Sequence, residues 1–222
     1  MEQFKGFQIQ SIIGNENGKV SEWEQRMKER EAEVKYNAYI NSGVPERYFS
    51  ESIESFTCDN EKMQKIKNKV QKFAENPKNK ILVLYGENGN GKTHLGAGIV
   101  RACGGEYILS SLLCVKYDSG TSFKASMTRE EILEHYSKVK MLVIDECCKY
   151  FINAEMEKFV LSYIISMRYA NGLPTVLITN GKINDFINFL GKAVYDRFTE
   201  VCTTLEFDWQ SKRKELRNKD EA

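Results

Sequence analysis

Apolar residues recur along the 222-residue chain in two rhythms, and the switch between them falls near residue 80. Before it, the spacing is helical. Ser21 and Glu24 form a capping-box pair, and Trp23, Met27, Val34 and Ala38 fall near one face of a helix that Gly43 and Pro45 stop. Met63, Ile66, Val70 and Phe73 repeat at three and four residues through EKMQKIKNKVQKFAEN, which predicts a second helix with these four side chains in the core. Its other faces carry Lys62, Lys65, Lys67, Lys69 and Lys72 and read as solvated. Ahead of both helices, Phe4, Phe7, Ile9, Ile12 and Ile13 run into the turn-rich GNENGK. These are too few to bury one another, so the segment has to dock on something.

After residue 80, short apolar runs alternate with helical stretches, the signature of an α/β fold: a mostly parallel sheet with helices on both faces. The strands are ILVLY (81–85), EYILS (106–110), MLVI (141–144), TVLI (175–178) and VCTTLEF (201–207). Between the third and fourth, Met156, Phe159, Val160, Tyr163, Ile164 and Met167 follow helical spacing, with Asn153 as cap and Gly172 and Pro174 as stop. That stripe is expected to be core. Thr128 with Glu131 caps a shorter helix between strands two and three. The stretch before it, from Lys116 and Tyr117 to Phe123 and Lys124, mixes basic and aromatic residues on a Gly-Ser loop and suits single-stranded DNA.

Composition narrows the class without changing this picture. With 41% hydrophobic and 28% charged residues, the chain fits one α/β-sized domain plus a short extension. A chain this long removes roughly 70% of its unfolded surface from water and needs neither disulfides nor a structural metal. The longest apolar run is five residues, Ile81 to Tyr85, and the N-terminus has no signal-peptide layout, so no membrane segment is expected and the location is expected to be cytoplasmic. Lys and Arg number 32 against 31 Asp and Glu, so contact with a polyanion must come from local patches. The six cysteines include no CxxC pair and read as free thiols.

The chemistry sits at strand ends. Gly86, Glu87, Asn88, Gly89, Asn90, Gly91, Lys92 and Thr93 match the phosphate loop GxxxxGK[ST], between strand ILVLY and the helix beginning His94-Leu-Gly. The glycines admit turns that let backbone N–H groups and a helix N-terminus surround a phosphate. Lys92 then reaches the β- and γ-phosphates, and the Thr93 hydroxyl ligates Mg2+. Asp145 and Glu146 end the strand MLVI, suited respectively to holding the metal's shell and to polarising a water. Asn180, at the end of TVLI, is placed to orient that water.

The loop running into GKTHL, the VIDE strand, MRYANGLPT followed by LITN, and LGKAVYDRF together resemble the DnaC-type helicase loaders, AAA+ relatives of the bacterial replication initiator. The similar region begins at Ser42-Gly-Val-Pro-Glu-Arg-Tyr48 and runs to about Arg213. The resemblance implies a P-loop AAA+ core with strand order 5-1-4-3-2, ATP with Mg2+ as cofactors, and a hexameric replicative helicase and single-stranded DNA as partners. It further implies that Asn180 senses the γ-phosphate, that Arg197 in Tyr195-Asp196-Arg197-Phe198 is an arginine finger acting in trans, and that Arg213 is a second sensor. His94 would belong to the nucleotide site with the loop. The domains are then 1–43 as a partner-docking extension, 44–213 as the ATPase core and 214–222 as a charged tail. Two departures stand out. Cys147-Cys148-Lys149 follows the acidic pair where many relatives place a glycine, and the N-terminal region lacks a cysteine ligand set for zinc. The alternatives are an IstB-like transposition ATPase, which shares the core, a small-molecule P-loop kinase, which should carry an arginine-rich lid, and a nucleotide-gated adaptor with negligible turnover.

Overall fold

The structure, a computed structural model, describes residues 22–122, 125–149 and 153–211. Residues 1–21, including the Ser21 cap and the apolar segment from Phe4 to Ile13, lie outside the described residues, as do Phe123, Lys124 and Arg213. The chain divides into two units, Met1–Ala38 and Tyr39–Ala222. The described part of the first belongs to a helix, α1 (Glu22–Ile40), on which Trp23, Met27 and Val34 are exposed.

In the second unit, α2 (Glu61–Glu75) starts at Asn60, whose side chain accepts the Met63 N–H at 2.9 Å. Met63, Ile66, Val70 and Phe73 are all buried, as their spacing requires. Five strands follow: β1 (Ile81–Gly86), β2 (Glu106–Leu109), β3 (Leu142–Cys147), β4 (Thr175–Thr179) and β5 (Cys202–Phe207). They form one sheet in the order β2-β3-β4-β1-β5 with every pairing parallel, which is the order the family resemblance implies, read from the other edge. Strands buried on both faces need apolar residues at successive positions. Thus Leu82, Leu84, Val143, Val176 and Ile178 face one cluster with α2 and α3 (Lys92–Cys103). Ile81, Val83, Leu142, Ile144 and Leu177 face the other, with α4 (Ser110–Ser119), α5 (Arg129–Lys138), α6 (Ala154–Ala170), α7 (Ile183–Leu190) and α8 (Lys192–Val201). No helix among the described residues is long and apolar enough to cross a membrane.

Two expectations are corrected. The expected stripe on α6 is not all core: Val160 and Ile164 are buried, but Phe159, Tyr163 and Met167 are 50%, 41% and 39% exposed. The inward face is Glu157, Val160, Leu161, Ile164, Ile165 and Arg168, turned by about one residue from the expected one. The helix is apolar around most of its circumference, and two charged residues on the inner face settle the orientation. Arg168 is fully buried, donating to the carbonyl oxygens of Tyr136, Val139 and Pro174 and to Thr175 Oγ1 at 2.7–2.9 Å. Burial lowers its pKa to about 10, still high enough to keep it charged. Buried Glu157 accepts from Ser110 Oγ at 2.5 Å and from the Cys148 N–H at 2.7 Å. Hydrogen bonding to this extent is what permits a charge in a core.

The second correction concerns the basic-aromatic loop. Lys116 and Tyr117 lie in the last turns of α4, not in a loop. Lys116 Nζ donates to Tyr136 Oη at 3.1 Å, and the Tyr117 ring lies 4.8 Å from the Arg129 guanidinium. The helix after it starts as expected, with Thr128 and Glu131 forming a reciprocal capping box.

Candidate nucleotide site

The phosphate loop joins β1 to α3, and two of its glycines are required by what surrounds them. At Gly86, φ is 123° and a Cβ would lie 2.2 Å from the Phe207 carbonyl oxygen of β5. At Gly91, φ is 90° and a Cβ would lie 2.5 Å from the Phe56 ring. A substitution at either position is strained in backbone and in space together. Asn90 is buried and directs its Nδ2 to the carbonyl oxygens of Phe207 and Trp209 at 3.0 and 2.6 Å, so its side chain pins the loop to the end of β5. Lys92 is buried and curls back over the loop, donating to Gly86 O at 2.7 Å and Glu87 O at 2.5 Å.

The acidic pair is presented by a distortion of β3. Register with β4 runs to Ile144 opposite Leu177 and resumes at Cys147 opposite Thr179, leaving one extra residue on β3. Successive strand residues point to opposite faces, so a regular strand would separate Asp145 from Glu146. The bulge, with Glu146 at φ 59°, lets both line one cavity. Thr179 Oγ1 donates to Cys147 O at 3.1 Å and holds the bulge against β4. Asp145 is buried, with its Oδ2 accepting from Thr93 Oγ1 at 2.7 Å and Tyr107 Oη at 2.6 Å, and its Oδ1 accepting the Glu146 N–H at 2.6 Å. Burial raises its pKa above the ordinary aspartate value, while the bonds from Tyr107, Thr93 and Glu146 pull it back. Glu146 is paired with Lys149, the residue that follows the two cysteines.

Lys92, Thr93, Asp145, Glu146 and Asn180 meet at a single cavity of about 290 Å³, which Asn88, Gly89, Gly91 and His94 also line. Glu87 and Asn180 line its neighbour with Gln210 and Ser211. The first cavity is also lined by Arg47, Tyr48, Phe56 and Thr57, none of which the sequence reading assigned to the site. Their signal lay in the clustering of Tyr48, Phe49 and Phe56 within a polar stretch. His94 is held by that same segment, with its ring nitrogens 3.1 Å from Glu51 Oε2, 2.9 Å from Ser52 O and 3.1 Å from Ser55 Oγ.

Arg197 does not line this cavity. It lies on α8 with its Nη1 donating to Ala193 O at 2.7 Å and its guanidinium 5.9 Å from the Tyr169 ring. The thiols of Cys147 and Cys148 are both pushed well above their ordinary pKa, chiefly by burial, and burial holds Cys114 and Cys202 at about 12. Such thiols are inert, and the Cys147-Cys148 pair packs the bulge.

No family model matches the chain. The chain is 25% identical over 200 residues to the replicative helicase loader DnaC of Escherichia coli, an alignment covering 87% of this chain and 81% of that protein. The chain is similar in sequence to the DnaC helicase loaders. Its fold superposes on a crystal structure of a DnaC helicase loader with a TM-score of 0.63 at 20% identity, covering 74% of this chain and all of that one. A replication initiator DnaA bound to AMPPCP and single-stranded DNA superposes with a TM-score of 0.57 at 18% identity, over 80% of this chain and 56% of that one. The AAA+ fold of the DnaC-type and DnaA-type proteins is thus shared here.

Proposed function

We propose that this chain is an ATP-hydrolysing loader that binds a hexameric replicative helicase and assists its placement on single-stranded DNA in the cytoplasm. The observation that carries the reading is the convergence of Lys92, Thr93, Asp145, Glu146 and Asn180 on one cavity, in a chain similar to a replicative helicase loader over 87% of its length. The residues fit a nucleotide with Mg2+. Lys92 would exchange its two loop carbonyls for β- and γ-phosphate oxygens, and the Thr93 hydroxyl and Asp145 carboxylate would hold the metal. A metal held there would supply positive charge to neutralise the phosphates. Glu146 accepts a proton from the attacking water once its pairing with Lys149 opens, and Asn180 orients that water. Arg197, away from its own chain's cavity, serves as the finger for a neighbouring subunit's nucleotide.

The helicase contact is assigned to residues 1–40, where Trp23 and Met27 present exposed apolar groups on α1. Mixing the protein with a hexameric replicative helicase in ATP, and separately with a transposase, tests the reading by the mass of the species formed. A complex with the helicase alone is expected, lost when residues 1–38, the part of this segment outside the second unit, are deleted although nucleotide still binds. Assembly with the transposase alone would select the IstB-like alternative.

A further inference from the structure

Tyr107 sits in the middle of β2, 4% exposed, two residues before the partner of Asp145 in the β2–β3 register and so on the same face of the sheet. A tyrosine buried this deeply needs a partner for its hydroxyl. That partner is Asp145 Oδ2 at 2.6 Å, the oxygen that also accepts from Thr93 at 2.7 Å. The three donors on Asp145 differ in how firmly each is held. Thr93 is at the first turn of α3 and would turn its oxygen toward a bound metal. The Glu146 N–H belongs to the bulge. The Tyr107 backbone, by contrast, is clamped on two sides: β2 pairs with β3, and the Tyr107 N–H donates to Ser42 O at 2.8 Å. The adjoining Gly43 approaches so closely that a Cβ there would lie 2.2 Å from Tyr107 O.

We infer that Tyr107 is a positioning residue that fixes the Asp145 carboxylate for a divalent cation bound with the nucleotide. The inference rests on the reading of Thr93 and Asp145 as the Mg2+ site. Such outer partners of metal-holding carboxylates typically contribute 10–100-fold in metal affinity or activity. Tyr107→Phe removes the donor and keeps the ring.

The test is binding of a fluorescent ATP analogue at fixed concentration, titrated with MgCl2 and repeated in EDTA, for wild type and Tyr107→Phe, with thermal melting alongside. The expected result is an unchanged affinity in EDTA, a melting temperature lowered by several degrees at most and a roughly tenfold higher Mg2+ concentration at half-maximal effect. An unchanged Mg2+ midpoint would overturn the inference. So would equal losses with and without Mg2+, or a collapse in melting temperature, either of which would make Tyr107 a packing residue only. A wild-type protein that binds the analogue with no Mg2+ dependence would instead fail the reading of the metal site itself.

Discussion

Glu146→Gln is expected to bind ATP as wild type does and to hydrolyse it at least about a hundredfold more slowly, since a positioned general base contributes roughly 10²- to 10⁴-fold. The substitution leaves Asp145 with its bonds from Thr93, Tyr107 and the residue-146 N–H, so the proposed metal site is untouched. The amide keeps the size of the carboxylate within the bulge but can no longer take a proton from water. Single-turnover hydrolysis measured beside equilibrium binding separates the two effects. Normal-rate hydrolysis by the variant would mean that Glu146 is not the base.

Lys92→Ala is expected to lose nucleotide binding. A charge-assisted hydrogen bond contributes about 1.5–3 kcal/mol, and Lys92 has two to redirect from loop carbonyls to phosphate oxygens. Losing both costs about 3 kcal/mol or more, roughly a hundredfold in affinity. Wild-type affinity in this variant would remove the phosphate loop from the account. The same protein tests Arg197. Arg197→Ala retains its pocket and Lys92→Ala retains its finger, so mixing the two should restore part of the hydrolysis that neither shows alone. Co-assembled subunits that show no recovery at any mixing ratio would place Arg197 outside the reaction of a neighbour.

How much of this was legible in the sequence depended on whether one local signal or several competing ones decided each element. In α2, polar residues surround four apolar ones at helical spacing, so only one face could turn inward, and it does. In α6, apolar residues cover most of the circumference, and periodicity alone had no way to choose among faces. Buried Glu157 and Arg168 made that choice through partners far along the chain, Ser110 and Tyr136. Helix α4 went unread because its apolar residues do not mark out one face. The phosphate loop and the acidic pair could be read because their chemistry requires particular residues at fixed spacing. The bulge that turns Asp145 and Glu146 to one cavity could not, since it depends on register with β4. Tyr107 did carry a signal: a phenol within a buried strand must find an acceptor, and the nearest strand end offers a carboxylate.

The most direct measurement of the central claim is delivery of a hexameric replicative helicase to a closed single-stranded DNA circle, read as displacement of an annealed oligonucleotide. With ATP, wild-type protein should raise displacement well above helicase alone, and Glu146→Gln should hold helicase and loader together in a complex that displaces little. Displacement no greater than that of helicase alone, from protein shown to bind both the helicase and ATP, would contradict the assignment as a loader.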